Sequence, residues 1–255
     1  MVKIKSDTQM DAMREAGRVV AQALAAAREA ADVGVGLTEL DAAAREILFK
    51  AGATSPFLDY HPEFAPVPFP ATACISVNDA IVHGIPDGYR LRDGDLVSVD
   101  FGALLDGWAG DSAISFTVGR ARPEDVRLVE TAFRALDAGI AAAVVGNRIG
   151  DIAHAIGKVC RGAGYGIPDG FGGHGIGRHM HEDPAVPNEG RAGRGMVLRH
   201  GMVLAIEPML IADGSDAYYP AADGWTLRSL SGARAAHAEH TVAVTDAGPR
   251  ILTLP

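Results

Sequence analysis

Five side chains suited to holding hard or borderline metal ions, Asp100, Asp111, His174, Glu207 and Glu239, each stand on or beside a run that reads as a β-strand. The first two lie in Leu96–Phe116, two alternating runs around Asp106-Gly107, a dipeptide that supplies the positive φ of a tight hairpin turn. Alternation puts Val97, Val99 and Phe101 on one face and Asp100 on the other, beside Leu96 and Ser98. In the return strand Ser112, Ile114, Phe116 and Val118 oppose Asp111, Ala113 and Ser115. A two-residue turn sets Asp100 across from Ala113, one diagonal step, roughly 7–8 Å, from Asp111. The pair could be solvated strand carboxylates. Yet no Lys or Arg lies between Arg92 and Arg120, and two carboxylates on an apolar-flanked face are costly to bury without a cation.

The other three candidates fall later. Met202 to Glu207 is an apolar strand ending on a carboxylate before Pro208, a place for a metal ligand or a base. In the strand His237–Val244, Glu239 shares a face with His237 and Thr241, opposite His240, Val242 and Val244. Between Asp169 and Pro184 come His174, His179 and His181 among five glycines. Gly170-Phe-Gly172-Gly-His-Gly175 formally matches a dinucleotide fingerprint, but the segment after it is too short and broken to be the required helix. His181-Glu182 is not a zincin motif either, since Pro184 interrupts it and the second His is missing. This leaves His174 flanked by glycines, where missing side chains let backbone and ligand approach closely; the alternative is a satisfied structural histidine. Four carboxylates are balanced by two divalent cations, and an oxygen-rich set with one imidazole suits Mn²⁺, Fe²⁺, Co²⁺ or Zn²⁺.

Helices and a turn-rich segment must position these groups. Ser6-x-x-Gln9 is a capping box, followed by a core stripe of Met10, Met13, Gly17, Val20, Leu24 and Ala27. After Gly34-Val-Gly36 a second helix runs through Leu37, Leu40, Ala44, Ile47 and Leu48 to Gly52. Past the hairpin, Pro123 opens a helix whose stripe is Val126, Val129, Phe133, Leu136 and Ile140, and a partner follows with Ile149, Ile152, Val159 and Cys160. Gly34, Leu37, Leu40, Ile47 and Gly52 recur as Gly146, Ile149, Ile152, Val159 and Gly164. This predicts a single α+β domain, 1–255, of two related halves, about 7–118 and 123–250, with one shared sheet and helices on one face. A site between such halves draws ligands from both. Pro56–Pro70, with five prolines and three phenylalanines, is either a rigid surface loop or a stiff aromatic wall of a pocket.

Composition removes several classes of function. With 23 Lys+Arg against 32 Asp+Glu the net charge is −9, which argues against a nucleic-acid surface. Two cysteines, Cys74 and Cys160, with no CxxC, exclude a disulfide scaffold or a thiolate zinc site and fit a reducing cytoplasm. No run of about 18 apolar residues is present to span a membrane, and the start lacks a signal peptide's apolar core.

On these motifs the chain resembles the bacterial type I methionine aminopeptidases along essentially its whole length. The resemblance is carried by Ser76-Val-Asn-Asp-Ala-Ile-Val-His83-Gly-Ile-Pro86, the Asp100–Asp111 interval, Gly173-His174-Gly-Ile-Gly177, Ile206-Glu207-Pro208 and Glu239-His240-Thr241. It implies the pita-bread fold, a curved, mainly antiparallel sheet with helices on its outer face. It also implies two divalent ions (Co, Mn, Fe or Zn) on Asp100, Asp111, His174, Glu207 and Glu239, with Asp111 and Glu239 shared between them. Glu207 would carry a proton from water to the leaving amine, while His83 and His181 position the peptide and stabilise the oxyanion. Tyr60, Cys74, Met180 and Trp225 would line the pocket for a methionine side chain. The implied substrate is the N-terminus of a nascent polypeptide, close to the ribosome, whose initiator Met precedes a small residue. The implied enzyme is a cytoplasmic monomer of the short form, with no N-terminal extension and no contact with nucleic acid or membrane. Two departures stand out: the Tyr60–Cys74 interval is longer than in many relatives, and Met180 stands where Phe is common. The rival activity on the same fold is an Xaa-Pro peptidase, whose relatives usually carry an additional N-terminal domain. A non-catalytic peptide-binding relative, which would typically lose metal ligands, is the rival of another class.

Overall fold

Helix α1 (Asp7–Ala30) opens on the capping box at Ser6. Gln9 N donates to Ser6 Oγ (3.3 Å) and Ser6 N donates to Gln9 Oε1 (3.0 Å), which satisfies two otherwise free backbone donors. Its predicted stripe is buried throughout. A computed structural model describes residues 2–63 and 65–255 of this chain, so Phe64, one of the three phenylalanines in the Pro56–Pro70 segment, lies outside the described residues.

Helix α2 (Leu37–Lys50) leads to strands β1 (Ala73–Val77), β2 (Ala80–Val82), β3 (Leu96–Leu105) and β4 (Trp108–Thr117). Helices α3 (Pro123–Ala142) and α4 (Ile149–Gly162) follow, then β5 (Gly172–Gly175), β6 (Glu182–Pro187), β7 (Val203–Ile206) and β8 (Met209–Ile211). The chain closes with β9 (Tyr218–Pro220), β10 (Leu227–Ser229), β11 (Ala235–His237), β12 (Glu239–Thr245) and β13 (Gly248–Ile251). Both ends of α4 lie 112 positions after those of α2. Each helix is entered through a left-handed glycine, Gly34 (φ 90°) or Gly146 (φ 93°). A carboxylate in the first turn then accepts from the backbone N of the residue before the helix: Glu39 from Gly36, Asp151 from Arg148.

The core stripe of α3 departs from the expected one. The buried residues are Leu128, Ala132, Ala135, Leu136, Gly139 and Ile140, with the polar Asp125 and Thr131, whereas Val126 is exposed and Val129 and Phe133 are only partly covered. The helix packs closely on α4 and the sheet, and a side chain at Gly139 would meet Ile156 and Ile206. Close packing selects Ala and Gly, which carry no hydrophobic signal, so the larger apolar residues misplace the buried face.

Seven strands run in the order β1-β3-β4-β12-β7-β5-β6, every recorded pair antiparallel, with β13 added on β12. The β3–β4 register puts Asp100 opposite Ala113 and Gly102 opposite Asp111, around a turn at Asp106 (φ 49°) and Gly107 (φ 74°). Val97, Val99 and Phe101 join the core under α1 and α2, while Leu204, Ile206, Val242 and Val244 join that under α3 and α4. The four helices therefore cover one face of the sheet. Asp100 and its neighbours are turned to the other.

Candidate metal centre

The five acidic and histidine candidates come from five strands that are consecutive in space. Asp100 stands on β3, Asp111 on β4, Glu239 on β12, Glu207 immediately after β7, and His174 on β5. Ala113 is paired with Asp100 on one side and Glu239 on the other, so those two carboxylates flank it on one face. Asp111 and Thr241 are tied through a side chain: Asp111 N donates to Thr241 Oγ1 (3.0 Å), and that hydroxyl donates to Asp111 O (2.8 Å). Asn188 Nδ2 donates to Glu207 O (2.9 Å) and steadies the end of β7.

His174 Nε2 lies 3.7 Å from Asp111 Oδ2 and 3.6 Å from Glu207 Oε1. Its other ring nitrogen, Nδ1, is 2.9 Å from Gly175 O, so an Nδ1–H donated there leaves the Nε2 lone pair aimed at the carboxylates. The glycines around it serve the backbone. A Cβ at Gly173 would strike the Ala205 carbonyl on β7, and one at Gly175 the Asp183 carbonyl, so the strand packing around His174 requires both glycines. Of the neighbouring residues, His179 is exposed, and Glu182 accepts from Lys5 Nζ (2.9 Å) and the backbone of Arg178 and His179. Neither belongs to the cluster.

Burial raises the carboxyl pKa values: Asp100 is pushed up to about 7, and Asp111, Glu207 and Glu239 rise well above the usual range through burial first and each other's charge second. Burial lowers His174 and His83 to about 4, keeping both imidazoles neutral. Asp100 Oδ1, Asp111 Oδ1 and Glu239 Oε1 are buried without a hydrogen-bond partner, and among the described residues no lysine or arginine ion-pairs with this group. Such orphaned oxygens are expensive unless a cation meets them. Asp111, His174 and Glu239 each offer a ligand atom within 4.8 Å of the others, and so do Glu207, His237 and Glu239. The residues present fit divalent cations.

The cluster opens onto a cavity of about 290 Å³ lined by Phe57, Tyr60, Phe69, Cys74, His83, Phe171, His181, Met209 and Trp225. Three of these come from the proline-rich segment, which is held in place by Trp225 Nε1 donating to Val67 O (2.8 Å) and by Phe69 meeting the Trp225 ring edge-on at 5.2 Å. Cys74 pairs with Asp100 across β1–β3, which explains its place beside the acids. His83 follows β2 in the left-handed region (φ 59°), an uncommon conformation that turns its ring toward Phe171 and Trp225. His181 is at the exposed mouth, 4.5 Å from His174 and 5.9 Å from Tyr60 between ring centroids. Met180 does not line the cavity: it packs against Gly102 in a core with Met10, Met13 and Trp108. Sequence reasoning missed Phe171, Met209 and His237. The alternation that placed Glu239 also placed His237 on its face, and that was the available signal.

A model of metallopeptidase family M24 matches residues 11–246. The chain belongs to metallopeptidase family M24. This metallopeptidase is 51% identical to methionine aminopeptidase 1 of Mycobacterium tuberculosis, over all of this chain and 96% of that one. The solved methionine aminopeptidase of Thermotoga maritima superposes with a TM-score of 0.95 at 36% identity, over the full length of both. The prolidase of Pyrococcus horikoshii superposes at 0.76 with 23% identity, over 98% of this metallopeptidase and 63% of that chain, a likeness of fold alone. The sheet and helix layers are thus those of the pita-bread fold.

Proposed function

We propose that this chain removes the N-terminal methionine from nascent proteins and peptides, preferring a small uncharged second residue, with two divalent cations held by Asp100, Asp111, His174, Glu207 and Glu239. The observation that carries this reading is the row of buried, partnerless acid oxygens at the base of an aromatic-walled cavity. Co²⁺, Mn²⁺, Fe²⁺ and Zn²⁺ all suit the donor set; when bound, they supply a Lewis acid for the scissile carbonyl and bring the pKa of water toward neutrality.

The chain's own residues do the rest. Phe57, Tyr60, Phe69, Cys74, Phe171, Met209 and Trp225 receive the thioether side chain, for which aromatic rings and a polarizable methionine are favourable neighbours. Glu207, at the cavity edge, moves a proton from the attacking water to the departing amine. His181 at the mouth and His83 at the wall orient the peptide and donate hydrogen bonds as charge builds on the carbonyl oxygen. Met180 acts at one remove, by supporting Gly102 two residues after Asp100.

The chain is read as one domain, 1–255, of two related halves, about 7–118 and 123–250; the matching lengths, caps and glycine entries of α2 and α4 support this. Two buried free cysteines suit a cytoplasmic monomer working on chains as they leave the ribosome. Among the described residues no helix is long and apolar enough to cross a membrane.

The test is release of Met from a Met-Ala-Ser peptide after chelation and titration with single divalent ions, run beside an Xaa-Pro peptide. Cation-dependent Met release is expected. Cleavage of only the Xaa-Pro peptide would overturn the methionine reading, and tight metal binding without hydrolysis of either would favour a peptide-binding relative.

A further inference from the structure

Beyond the five ligands above lies a sixth group that the fold aims at the same acids. His237 ends β11 and is 1% exposed. Its backbone is clamped to β4: His237 N donates to Ser115 Oγ (2.9 Å), and that hydroxyl hydrogen-bonds His237 O (2.7 Å). The ring is thereby fixed on the face that carries Asp111 and Glu239. Its Nε2 is buried and has no hydrogen-bond partner.

The spacing says what that nitrogen is for. Nε2 lies 3.7 Å from Glu207 Oε2 and 3.9 Å from Glu239 Oε2. A hydrogen bond would need about 2.7–3.2 Å, so neither contact is one. Two donors that each sit about 2.1 Å from a common ion lie roughly 3–4 Å apart, which both distances satisfy. The same spacing separates His174 Nε2 from Asp111 and from Glu207. Glu207 stands between the two rings, with Oε1 toward His174 and Oε2 toward His237.

We propose that His237 Nε2 is a metal ligand, adding a second imidazole to the cation site shared by Glu207 and Glu239. This rests on the reading of the cluster as a cation site, and it changes the donor set from one imidazole to two. Imidazole nitrogen favours the later first-row ions, so the affinity order should lean further toward Co²⁺ and Zn²⁺ over Mn²⁺.

The experiment is calorimetric titration of the full, cation-free chain with Co²⁺, followed by X-ray absorption of the loaded protein to count imidazoles. Two imidazoles per pair of ions are expected in the wild type. His237→Leu should remove one of them and weaken one Co²⁺ at least tenfold, with His237→Gln as a second variant should the apolar one fold poorly. The wild-type count needs no variant at all. A single imidazole per pair of ions in the wild type would overturn the proposal. So would weakened binding with an unchanged count, which would make His237 a partner of the carboxylates rather than of the metal. Failure of the wild type to bind Co²⁺ would overturn the cation site itself, and His237 ligation with it.

Discussion

Raising the pH of the cation-free protein should destabilise it, and the size of the effect comes from Asp100. Its carboxyl is lifted from 3.8 to about 7 by burial. Between those values the folded chain holds a proton that the unfolded chain has lost, so stability falls as pH rises. The contribution is whole below about pH 4 and gone above about pH 7. Three pH units at about 1.4 kcal/mol each make a loss on the order of 4 kcal/mol from this one side chain. Asp111, Glu207 and Glu239 are shifted in the same direction and add to it. In a chain of this size each kcal/mol moves the melting temperature by about 2–4 °C, so a drop on the order of 10 °C is expected. The assay is thermal unfolding in chelator across pH 4 to 8, repeated with saturating divalent ion and with Asp100→Asn. Bound cation should flatten the curve, and the variant should lose the part due to Asp100. A melting temperature that is level or rising through this window in chelator, with no change in Asp100→Asn, would refute the electrostatic reasoning.

Other substitutions probe single links. Glu207→Gln should lower kcat on Met-Ala-Ser by about 10²–10⁴ while the protein stays folded, as loss of a proton carrier predicts; near-normal turnover would remove Glu207 from that role. Thr241→Val, which deletes the hydroxyl joining Asp111 N and O, should cost about 1–3 kcal/mol in denaturant unfolding and weaken cation binding in calorimetry. Gly173→Ala drives a methyl into the Ala205 carbonyl and should cost about 1–3 kcal/mol of stability, again with looser cation binding because His174 is displaced. Tyr60→Ala, at the exposed rim, should raise KM several-fold with kcat nearly unchanged, read from initial rates.

Much of this architecture is legible in the sequence because local rules and tertiary demands coincide. Ser6 and Gln9 cap α1 by their own chemistry, and Asp106-Gly107 fixes the hairpin register that brings Asp100 near Asp111. Glu207 and Glu239 stand out because a carboxylate on an apolar strand contradicts its surroundings. Where contacts between distant segments decide, the sequence is silent. The buried face of α3 joins Leu128, Leu136 and Ile140 with Ala132, Ala135 and Gly139, small residues selected by close packing, while Val126 is left exposed. His237 becomes visible as a neighbour of Glu207 only when β11 and β7 are in place. Met180 sits behind the cavity wall because Gly102 leaves room there, which no periodicity encodes.

The placement of β12 between β4 and β7 has a further consequence. Asp100 and Asp111 arrive with the first hairpin, whereas His174, Glu207 and Glu239 belong to the later part of the chain. An ion held by both sets would tie them together across that seam, and without it the buried acids would face one another there with no cation to balance them. Two pieces cut near residue 120 should therefore reassemble more tightly as divalent ion is added, and part when it is withdrawn.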